Sequence, residues 1–356
     1  MIDWLQLART PRIGPVTFFQ LLARFGSAAS ALEALPSLTL RRSPAKIPAR
    51  SDIEREYSET IKYGGRVLCS ADQDFPPLLK QLGPPPPVLT ILGDVSLFQK
   101  RSVALVGARQ ASAAGRKLAR DIAAALSNED FVIVSGLARG IDGEAHAASL
   151  PGGTIAVLGG GVDHIYPPQH RDLYRAVSEQ GAILSESPFG HRATAKDFPR
   201  RNRIITGLSE GVVVIEAAER SGSLISARTA LEQNREVMAV PGSPLEPRSA
   251  GSNRLLRQGA LLVRNAEDVI EALSNPLSGK IQSPPPSFYE DPEETPNIPA
   301  NQIEAVKLVL GPQPMPIPDI ARAADIGSAR CAAILVELEI AGEAATYAGG
   351  FAALAL

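Results

Sequence analysis

The chain has 356 residues, a formal net charge of −2 and a hydrophobic fraction of 44%. This length allows two or three domains, and the near-neutral charge excludes a polycation, so any nucleic-acid site must be a local patch. Cys69 and Cys331 have no C-x-x-C partner, and we expect neither a disulfide framework nor a metal site. No apolar run is long enough to span a membrane and no signal peptide is evident, so we expect a cytoplasmic protein.

Residues 1 to about 64 are predicted to be helical, because apolar residues recur at helical spacing within 5–8, 16–25 and 28–35. The turn Arg12-Ile13-Gly14-Pro15 resembles a helix-hairpin-helix turn, whose backbone amides can hold a phosphate. A short glycine turn between packed helices is more often only a turn. We favour that structural interpretation here.

Short apolar runs alternate with helical stretches from Gly65 to Asn275. The expected strands cover residues 88–92, 103–106, 131–134, 154–158, 182–184, 212–215 and 237–240. Short unbroken apolar runs are what a parallel sheet requires when helices cover both of its faces. The sequence therefore predicts a doubly wound, Rossmann-like α/β domain with a mostly parallel sheet over residues 65–275.

Residues 276–300 are rich in proline, serine and acidic residues and are expected to form a linker. Beyond them, apolar spacing predicts helices over 303–310, 317–324 and 328–341, followed by a hairpin, which suggests a winged helix over 301–356. The third helix carries Arg330 as its one cation and two acids, Glu337 and Glu339. A packing or partner-binding module is therefore favoured over a DNA-reading one.

Glycine-rich turns that carry arginines follow several of the expected strands. They lie at 107–109, 135–142, 159–167, 220–226 and 241–244. In doubly wound sheets ligands bind outside the carboxyl ends of the strands, and small residues let backbone amides approach a ligand closely. Together these turns predict an anion-binding rim.

The run Phe198-Pro199-Arg200-Arg201-Asn202-Arg203 opens an amphipathic helix, with proline in the first turn. Cations at this end are opposed by the helix dipole, so the arginines favour an anionic ligand such as polyphosphate. Two interpretations of Phe198 remain open. Its ring could stack on an unpaired base, a contact of about 1–3 kcal/mol, or it could anchor the entry to the helix.

Known catalytic motifs are lacking. Neither a Walker loop, a dinucleotide fingerprint nor a G-x-S-x-G elbow occurs, and no cofactor is expected. Asp142 and His146 are four residues apart on one predicted helix. We favour a hydrogen-bonding role for them in orienting the preceding glycine turn over an acid–base role. The hydroxyls of Ser221 and Ser223 are expected to bind phosphate or to cap the following helix.

Several segments of the α/β domain resemble, in order, those of the bacterial DNA processing protein A family, also called DprA or Smf. They are residues 103–109, 134–142, 198–205, 221–225 and 240–243. The N-terminal helices resemble the sterile-alpha-motif-like domain of some members, and the C-terminus resembles their winged helix. The resemblance implies a non-enzymatic protein that binds incoming single-stranded DNA in natural transformation, protects it and loads RecA recombinase onto it.

The resemblance also implies the site. The expected DNA-binding residues are Gly107, Arg109, Gly136, Arg139, Lys196, Phe198, Arg200, Arg201, Asn202, Arg203, Ser221, Gly222 and Ser223. Many members have a lysine straight after the Tyr-Pro that follows the third strand, where this chain has Pro168, so His170 and Arg171 are the candidate substitutes. A homodimer interface is expected to include Asn253, Leu255 and Leu262, although both leucines would also suit a core.

Two other functions remain open. Nucleoside monophosphate phosphoribohydrolases of the LOG type share a Rossmann-like fold and a Pro-Gly-Gly-x-Gly-Thr-x-x-Glu motif. Here Pro151-Gly152-Gly153 precedes a strand and lacks the catalytic glutamate. The second alternative is a structural scaffold whose arginines form surface ion pairs.

Overall fold

The computed structural model describes residues 1–38, 46–274, 300–347 and 349–355. These residues form two compact units. One combines the N-terminal helices with the C-terminal helices and hairpin, and the other contains the central sheet with its covering helices. The expected linker lies outside the described residues up to Ala300, where a helix begins.

The central unit is built on a sheet of nine strands. They are β1 (Arg66–Cys69), β2 (Val88–Gly93), β3 (Ser102–Gly107), β4 (Val132–Ser135), β5 (Thr154–Leu158), β6 (Ala182–Ser185), β7 (Gly211–Ile215), β8 (Glu236–Ala239) and β9 (Leu261–Leu262). Their order is β1-β2-β6-β5-β4-β3-β7-β8-β9. Every pair of neighbours from β6 to β9 is parallel, and β2 runs antiparallel to β6. The predicted doubly wound, mostly parallel fold is confirmed.

Helices precede, cover and follow this sheet. Those that precede it are α1 (Ile2–Arg9), α2 (Pro15–Phe25), α3 (Ala28–Leu38) and α4 (Arg50–Lys62). Those along it are α5 (Pro77–Lys80), α6 (Ala113–Asn128), α7 (Ile141–Ser149), α8 (Arg171–Gln180), α9 (Asp197–Gly207), α10 (Gly222–Glu232), α11 (Ala250–Arg257) and α12 (Ala266–Ser274). The last three are α13 (Ala300–Val309), α14 (Ile317–Ala323) and α15 (Ser328–Ala341).

Successive residues of a strand enter separate cores on the two faces of the sheet, as the pleat dictates. Along β3, Val103 and Leu105 belong to one hydrophobic cluster, whereas Ala104 and Val106 belong to the other. All four side chains are buried. This burial on both faces explains why the strand appears in the sequence as an unbroken apolar run.

The chain changes direction across the sheet beside β3. It passes from β3 through β4 and β5 to β6 on one side, and then resumes at β7 on the other side of β3. The loops that follow β3 and β7 therefore diverge at the carboxyl edge of the sheet. Such a switch point is where open α/β sheets form a ligand-binding crevice.

The other unit contains two hydrophobic clusters. One joins residues of α1, α2 and α3, and the second joins α13, α14 and α15 with a small antiparallel sheet. That sheet has the order β10-β12-β11, formed by β10 (Met315–Pro316), β11 (Ala344–Tyr347) and β12 (Phe351–Leu354). Three helices and a hairpin give the predicted winged-helix arrangement.

Three sequence-based expectations concern membranes, metals and disulfides. Within the ranges that the structure describes, no helix is long and apolar enough to cross a membrane. The same residues contain no cluster of three or more His, Cys, Asp or Glu side chains placed to hold a metal ion. Cys69 and Cys331 are both free and buried.

Candidate nucleic-acid interface

A broad groove opens at the switch point, with a volume of about 1280 Å³. We call it the switch-point groove. The turn after β3 lines it from Gly107 to Gln110, the first turn of α10 from Ser221 to Ser223, and the segment before α11 from Glu246 to Arg248. Phe198, Pro199, Arg201 and Asn202 line it from α9. The structure therefore brings segments that are more than 100 residues apart to one edge of the sheet.

A smaller cavity of about 30 Å³ adjoins the groove, and we call it the inner cavity. Gly136 and Arg139 line it from the turn after β4, and Gly159 and Gly160 line it from the turn after β5. Arg109, Tyr166, Phe198 and Arg201 line both spaces. The two spaces therefore share an aromatic and cationic wall.

The shared wall is a stack of three side chains. The guanidinium carbon of Arg109 lies 5.3 Å from the centroid of the Phe198 ring, within cation–π distance. The Tyr166 ring lies 5.6 Å from the Phe198 ring and is 46% exposed. Phe198 thus anchors the stack and is half-buried, whereas Tyr166 offers the freer aromatic surface.

Three arginines at the two spaces carry no ion pair with any carboxylate that the structure describes. They are Arg109, Arg139 and Arg220, and all three are exposed. A fourth, Arg248, is bound to Glu246 at 2.9 Å. The unpaired guanidinium groups give this edge of the sheet a local positive charge, although the whole chain is slightly acidic.

The first turn of α10 presents backbone amides to the groove. Ser221 caps this helix and accepts a hydrogen bond from the amide of Ser223 at 3.2 Å, which confirms the capping alternative. The Ser223 hydroxyl donates to the carbonyl oxygen of Gly107 at 3.0 Å and so ties α10 to the end of β3. A helix N-terminus of this kind attracts anions through its free amides and its dipole.

Arg201 does not extend into solvent as the arginine run suggested. It is 7% exposed, donates from Nη1 to the carbonyl oxygen of Val157, and has Asp142 as its nearby counter-charge. Burial lowers its pKa to about 10, so the side chain remains protonated at neutral pH. Arg201 is thus a largely buried cation in the wall that the inner cavity and the groove share, and its contact with a phosphate stays a prediction.

The sequence contains the signal for this burial. Arg201, Ile204, Ile205 and Leu208 follow the i, i+3, i+4, i+7 spacing of a buried helix face, and all four are buried. Consecutive helical residues point in directions about 100° apart, so Arg201 does not share the helix face of Arg200 and Arg203.

Arg200 and Arg203 lie three residues apart and turn to the same carboxylate. Arg203 donates to Glu186, and Arg200 lies 3.5 Å from it. Neither arginine lines the groove or the inner cavity. Lys196 also lies outside both linings, although the preceding residue, Ala195, lines the groove. Glu186 carries one negative charge against these two guanidinium groups, so the pair of arginines keeps a net positive charge beside the groove. Direct contact of Lys196, Arg200 and Arg203 with a ligand stays a prediction.

Asp142 and His146 hold the turn after β4, as predicted. Asp142 accepts from the amides of Gly136 and Ala138 at 3.1 and 3.4 Å, and Nε2 of His146 accepts from the Leu137 amide at 3.3 Å. Burial raises the pKa of Asp142 and lowers that of His146 to about 3. The imidazole is therefore neutral, and its Nδ1–H faces the Thr154 hydroxyl at 2.8 Å.

Two predicted glycines are required by packing. A Cβ on Gly136 would lie 2.1 Å from Nη1 of Arg201, and one on Gly107 would lie 1.9 Å from the carbonyl oxygen of Ile215. Gly222 has open space around the corresponding position. The first two glycines therefore build the walls of the site, whereas Gly222 is free of steric constraint.

The two candidate substitutes after Pro168 lie outside both linings, and their part in DNA binding stays a prediction. His170 lies at hydrogen-bond distance from the carbonyl oxygen of Leu137, 3.0 Å, and its ring lies against Gly143. Arg171 begins α8 and is absent from both linings. Tyr166, Arg220 and Arg248 also line these spaces and were not among the expected DNA-binding residues, although each follows a strand of the central sheet.

The three expected dimer residues have different environments. Leu255 is 8% exposed and belongs to the sheet core. The Asn253 side chain is held by the backbone of Gly242, with hydrogen bonds at 3.1 and 3.0 Å. Leu262 is 52% exposed on β9, the last strand of the sheet. Leu255 is therefore corrected to a core residue.

Comparisons with known proteins agree across the chain. Residues 66–274 match the family described as DNA recombination-mediator protein A, residues 1–58 match its N-terminal HHH domain, and residues 290–350 match its winged helix domain. Protein Smf of Escherichia coli is 40% identical over 291 residues, which are 81% of this chain and 77% of that protein. DNA processing protein DprA of Bacillus subtilis is 44% identical over 246 residues, 66% of this chain and 83% of that protein.

Two solved structures share the fold. DprA of Streptococcus pneumoniae superposes with a TM-score of 0.64 at 31% identity, over 76% of this chain and 95% of that one. DprA of Helicobacter pylori, described in its single-stranded DNA binding mode, gives a TM-score of 0.55 at 30% identity. That superposition covers 59% of this chain and 95% of the other.

Proposed function

Because the chain belongs to the DNA recombination-mediator protein A family, we propose that its switch-point groove binds single-stranded DNA in natural transformation. The Helicobacter pylori relative is a single-stranded DNA binder, and it shares the sheet that forms the groove. In the same proposal the bound strand is protected and is passed to the RecA recombinase.

The observation that carries the proposal is the wall formed by Arg109, Phe198 and Tyr166 beside the unpaired Arg139 and Arg220. Guanidinium groups bind the phosphates of any nucleic acid. An exposed aromatic ring stacks only on a base that is free of its partner strand. The combination therefore favours a single strand over a duplex.

The chain is proposed to act by binding rather than by catalysis. The segment Pro151-Gly152-Gly153 lies before β5, at the amino end of the strand, whereas the groove lies at the carboxyl ends. A Cβ on Gly152 would lie 2.2 Å from the Ser127 hydroxyl, so this glycine is explained by packing. A phosphoribohydrolase would need its glycine motif at the opposite edge.

Fluorescence anisotropy with matched oligonucleotides tests the proposal. A labelled oligo-dT strand should bind at least about tenfold more tightly than a duplex of equal length, because stacking of one or two bases adds about 1–3 kcal/mol each. Equal affinity for both forms would contradict the proposal. Incubation of the protein with AMP should release no adenine, and release would favour the phosphoribohydrolase instead.

A homodimer is part of the proposal, supported by the exposed edge of the sheet. Leu261 and Leu262 are 42% and 52% exposed on β9. An exposed apolar edge strand is a surface that proteins usually cover. Leu262→Asp should therefore convert a dimer to a monomer in sedimentation velocity. A wild-type monomer at all concentrations would remove this part of the proposal.

A further inference from the structure

The outward face of α15 is chemically unlike a DNA-reading surface. In a helix-turn-helix fold, the last helix enters the major groove and presents donors and acceptors to base edges. On α15 the residues turned away from its own core include Ala329, Ala333, Val336 and Glu337. Alanine has no donor or acceptor for hydrogen bonds to base edges, and a carboxylate repels the phosphates of the duplex.

The C-terminal half of this face is already covered by the N-terminal helices. Val336 and Ile340 belong to the hydrophobic cluster of α1, α2 and α3, together with Leu7, Phe18 and Leu21. Both residues are nearly fully buried, at 4% and 1% exposure. The winged-helix core takes other residues of α15, among them Cys331, Ile334, Leu335 and Leu338. The helix is therefore buried from two sides by two separate cores.

Polar contacts fix the orientation of this packing. The hydroxyl of the fully buried Thr17 donates a hydrogen bond to the Glu339 carboxylate. The same carboxylate accepts two further hydrogen bonds from Thr346, one from its backbone amide at 3.2 Å and one from its hydroxyl at 2.7 Å. Arg24 lies 3.7 Å from Glu337. Glu339 thereby joins α2 to the first strand of the wing.

The helix-hairpin-helix turn is also engaged. The Arg12 guanidinium donates to the carbonyl oxygen of Ile340 at 3.2 Å and lies against Gly342 at the end of α15. Ile13 is buried in the same hydrophobic cluster as Val336. Arg12 of the turn, although exposed, and the partly buried Arg24 of α2 therefore both contact acceptors on α15.

We propose that α15 is a docking helix whose outward face binds the N-terminal helices of its own chain. The C-terminal module, from α13 to β12, then packs on the helix-hairpin-helix turn of its own chain, and we call this intrachain contact the clasp. The module does not read the sequence of duplex DNA. The charge pattern supports this partner, because the acidic Glu337 and Glu339 meet the Arg24 guanidinium and the Thr17 hydroxyl of α2.

Hydrogen exchange of the full-length chain tests the clasp. Val336→Asp places a charge in the shared cluster but leaves the winged-helix core residues unchanged. We expect protection of the α2 amides to fall at least about tenfold, while α13 and α14 keep theirs. Leu308→Asp is the matched control, since Leu308 is 83% exposed on α13, and it should change nothing. Unchanged α2 protection in Val336→Asp would overturn the proposal.

A charge exchange gives a second arm, in which the double variant keeps one charge of each sign at the contact between residues 24 and 337. Glu337→Arg should lower α2 protection through repulsion by Arg24, and the added Arg24→Glu change should restore part of it. A double variant no better protected than the single one would contradict the clasp. Protection that rises with protein concentration would instead identify a second copy as the partner.

A duplex-binding measurement completes the test. Arg330 is the one cation of α15, so Arg330→Ala should leave the affinity of the full chain for duplex DNA unchanged. A loss of about tenfold or more would show that this helix reads DNA and would overturn the docking role.

Discussion

The guanidinium of Arg201 lies so close to Gly136 that a Cβ added to this glycine would be 2.5 Å from the guanidinium carbon. A buried arginine thus takes the space that any larger residue in the turn after β4 would need. The position of the arginine in turn shapes the inner cavity, which both residues line.

Gly136→Ala should therefore destabilise the protein by about 1–3 kcal/mol, because the new methyl group must displace a buried side chain. Gly222→Ala is the matched control. Its Cβ meets open space, and the change should stay within about 0.5 kcal/mol. Urea unfolding of the three proteins measures both effects. Similar midpoints for the two variants would show that Arg201 can move aside without cost.

Removing the buried charge of Arg201 should have a larger effect than removing its exposed neighbour. Arg201→Met leaves Asp142 buried without its counter-charge, which should cost about 3–5 kcal/mol. Arg200→Met removes only a largely exposed pair with Glu186 and should cost at most about 1 kcal/mol.

The double variant Arg201→Met with Asp142→Asn should recover part of the stability, since the asparagine keeps an acceptor for the Gly136 amide. A double-mutant cycle in urea measures this coupling. Strict additivity of the two changes would mean that Asp142 and Arg201 do not depend on each other.

His146 should make the protein less stable in mild acid. Burial lowers the pKa of this residue to about 3 in the folded state, against about 6.5 in an unfolded chain. Between these values the unfolded chain binds a proton that the folded one excludes. The unfolding free energy should therefore fall with decreasing pH, by up to about 1.4 kcal/mol per unit.

His146→Gln should show a shallower decrease between pH 6 and pH 4 than the wild type. The comparison cancels the contributions of other groups, including the opposite one from Asp142, whose pKa burial raises. Urea unfolding at several pH values gives the two slopes. Equal slopes would indicate that the imidazole is protonated in the folded state.

Tyr166 is expected to stack on a base of the bound strand. Tyr166→Ala should weaken oligo-dT binding by about 1–3 kcal/mol, and Tyr166→Phe should bind almost as the wild type does. The salt dependence should be unchanged, since no charge is removed. Tyr347→Ala, which removes a similarly exposed ring from the wing, is the control. Anisotropy titrations in which Tyr166→Ala and Tyr347→Ala bind alike would exclude the stacking role.

Most of the fold was predictable because burial on both faces of the sheet leaves a direct mark on the sequence. The strand β3 is one example, with four buried apolar residues in a row. Strand order leaves no such mark, since the neighbours β3 and β7 are separated by more than 100 residues. The edge strand β9 has only two residues, too few to show the alternation of apolar and polar residues that marks a strand.

The site was predictable where a residue follows a strand, as Arg109 and Ser221 do. It was not predictable where a side chain has a choice of partner. Glu186 directly follows β6, yet nothing in the sequence shows that it pairs with both Arg200 and Arg203. Ion-pair geometry depends on how α9 is rotated against β6, and that rotation is set by packing of the whole domain.

The salt dependence of oligo-dT binding tests the central claim most directly. Each neutralised phosphate should contribute about −0.7 to the slope of log affinity against log salt concentration. Changing Arg109, Arg139 and Arg220 together to alanine should therefore make the slope shallower by about 2, whereas Arg228→Ala, on the far part of α10 and paired with Glu232, should leave it unchanged. A triple variant that binds with the wild-type affinity and slope would show that the strand lies elsewhere on the molecule.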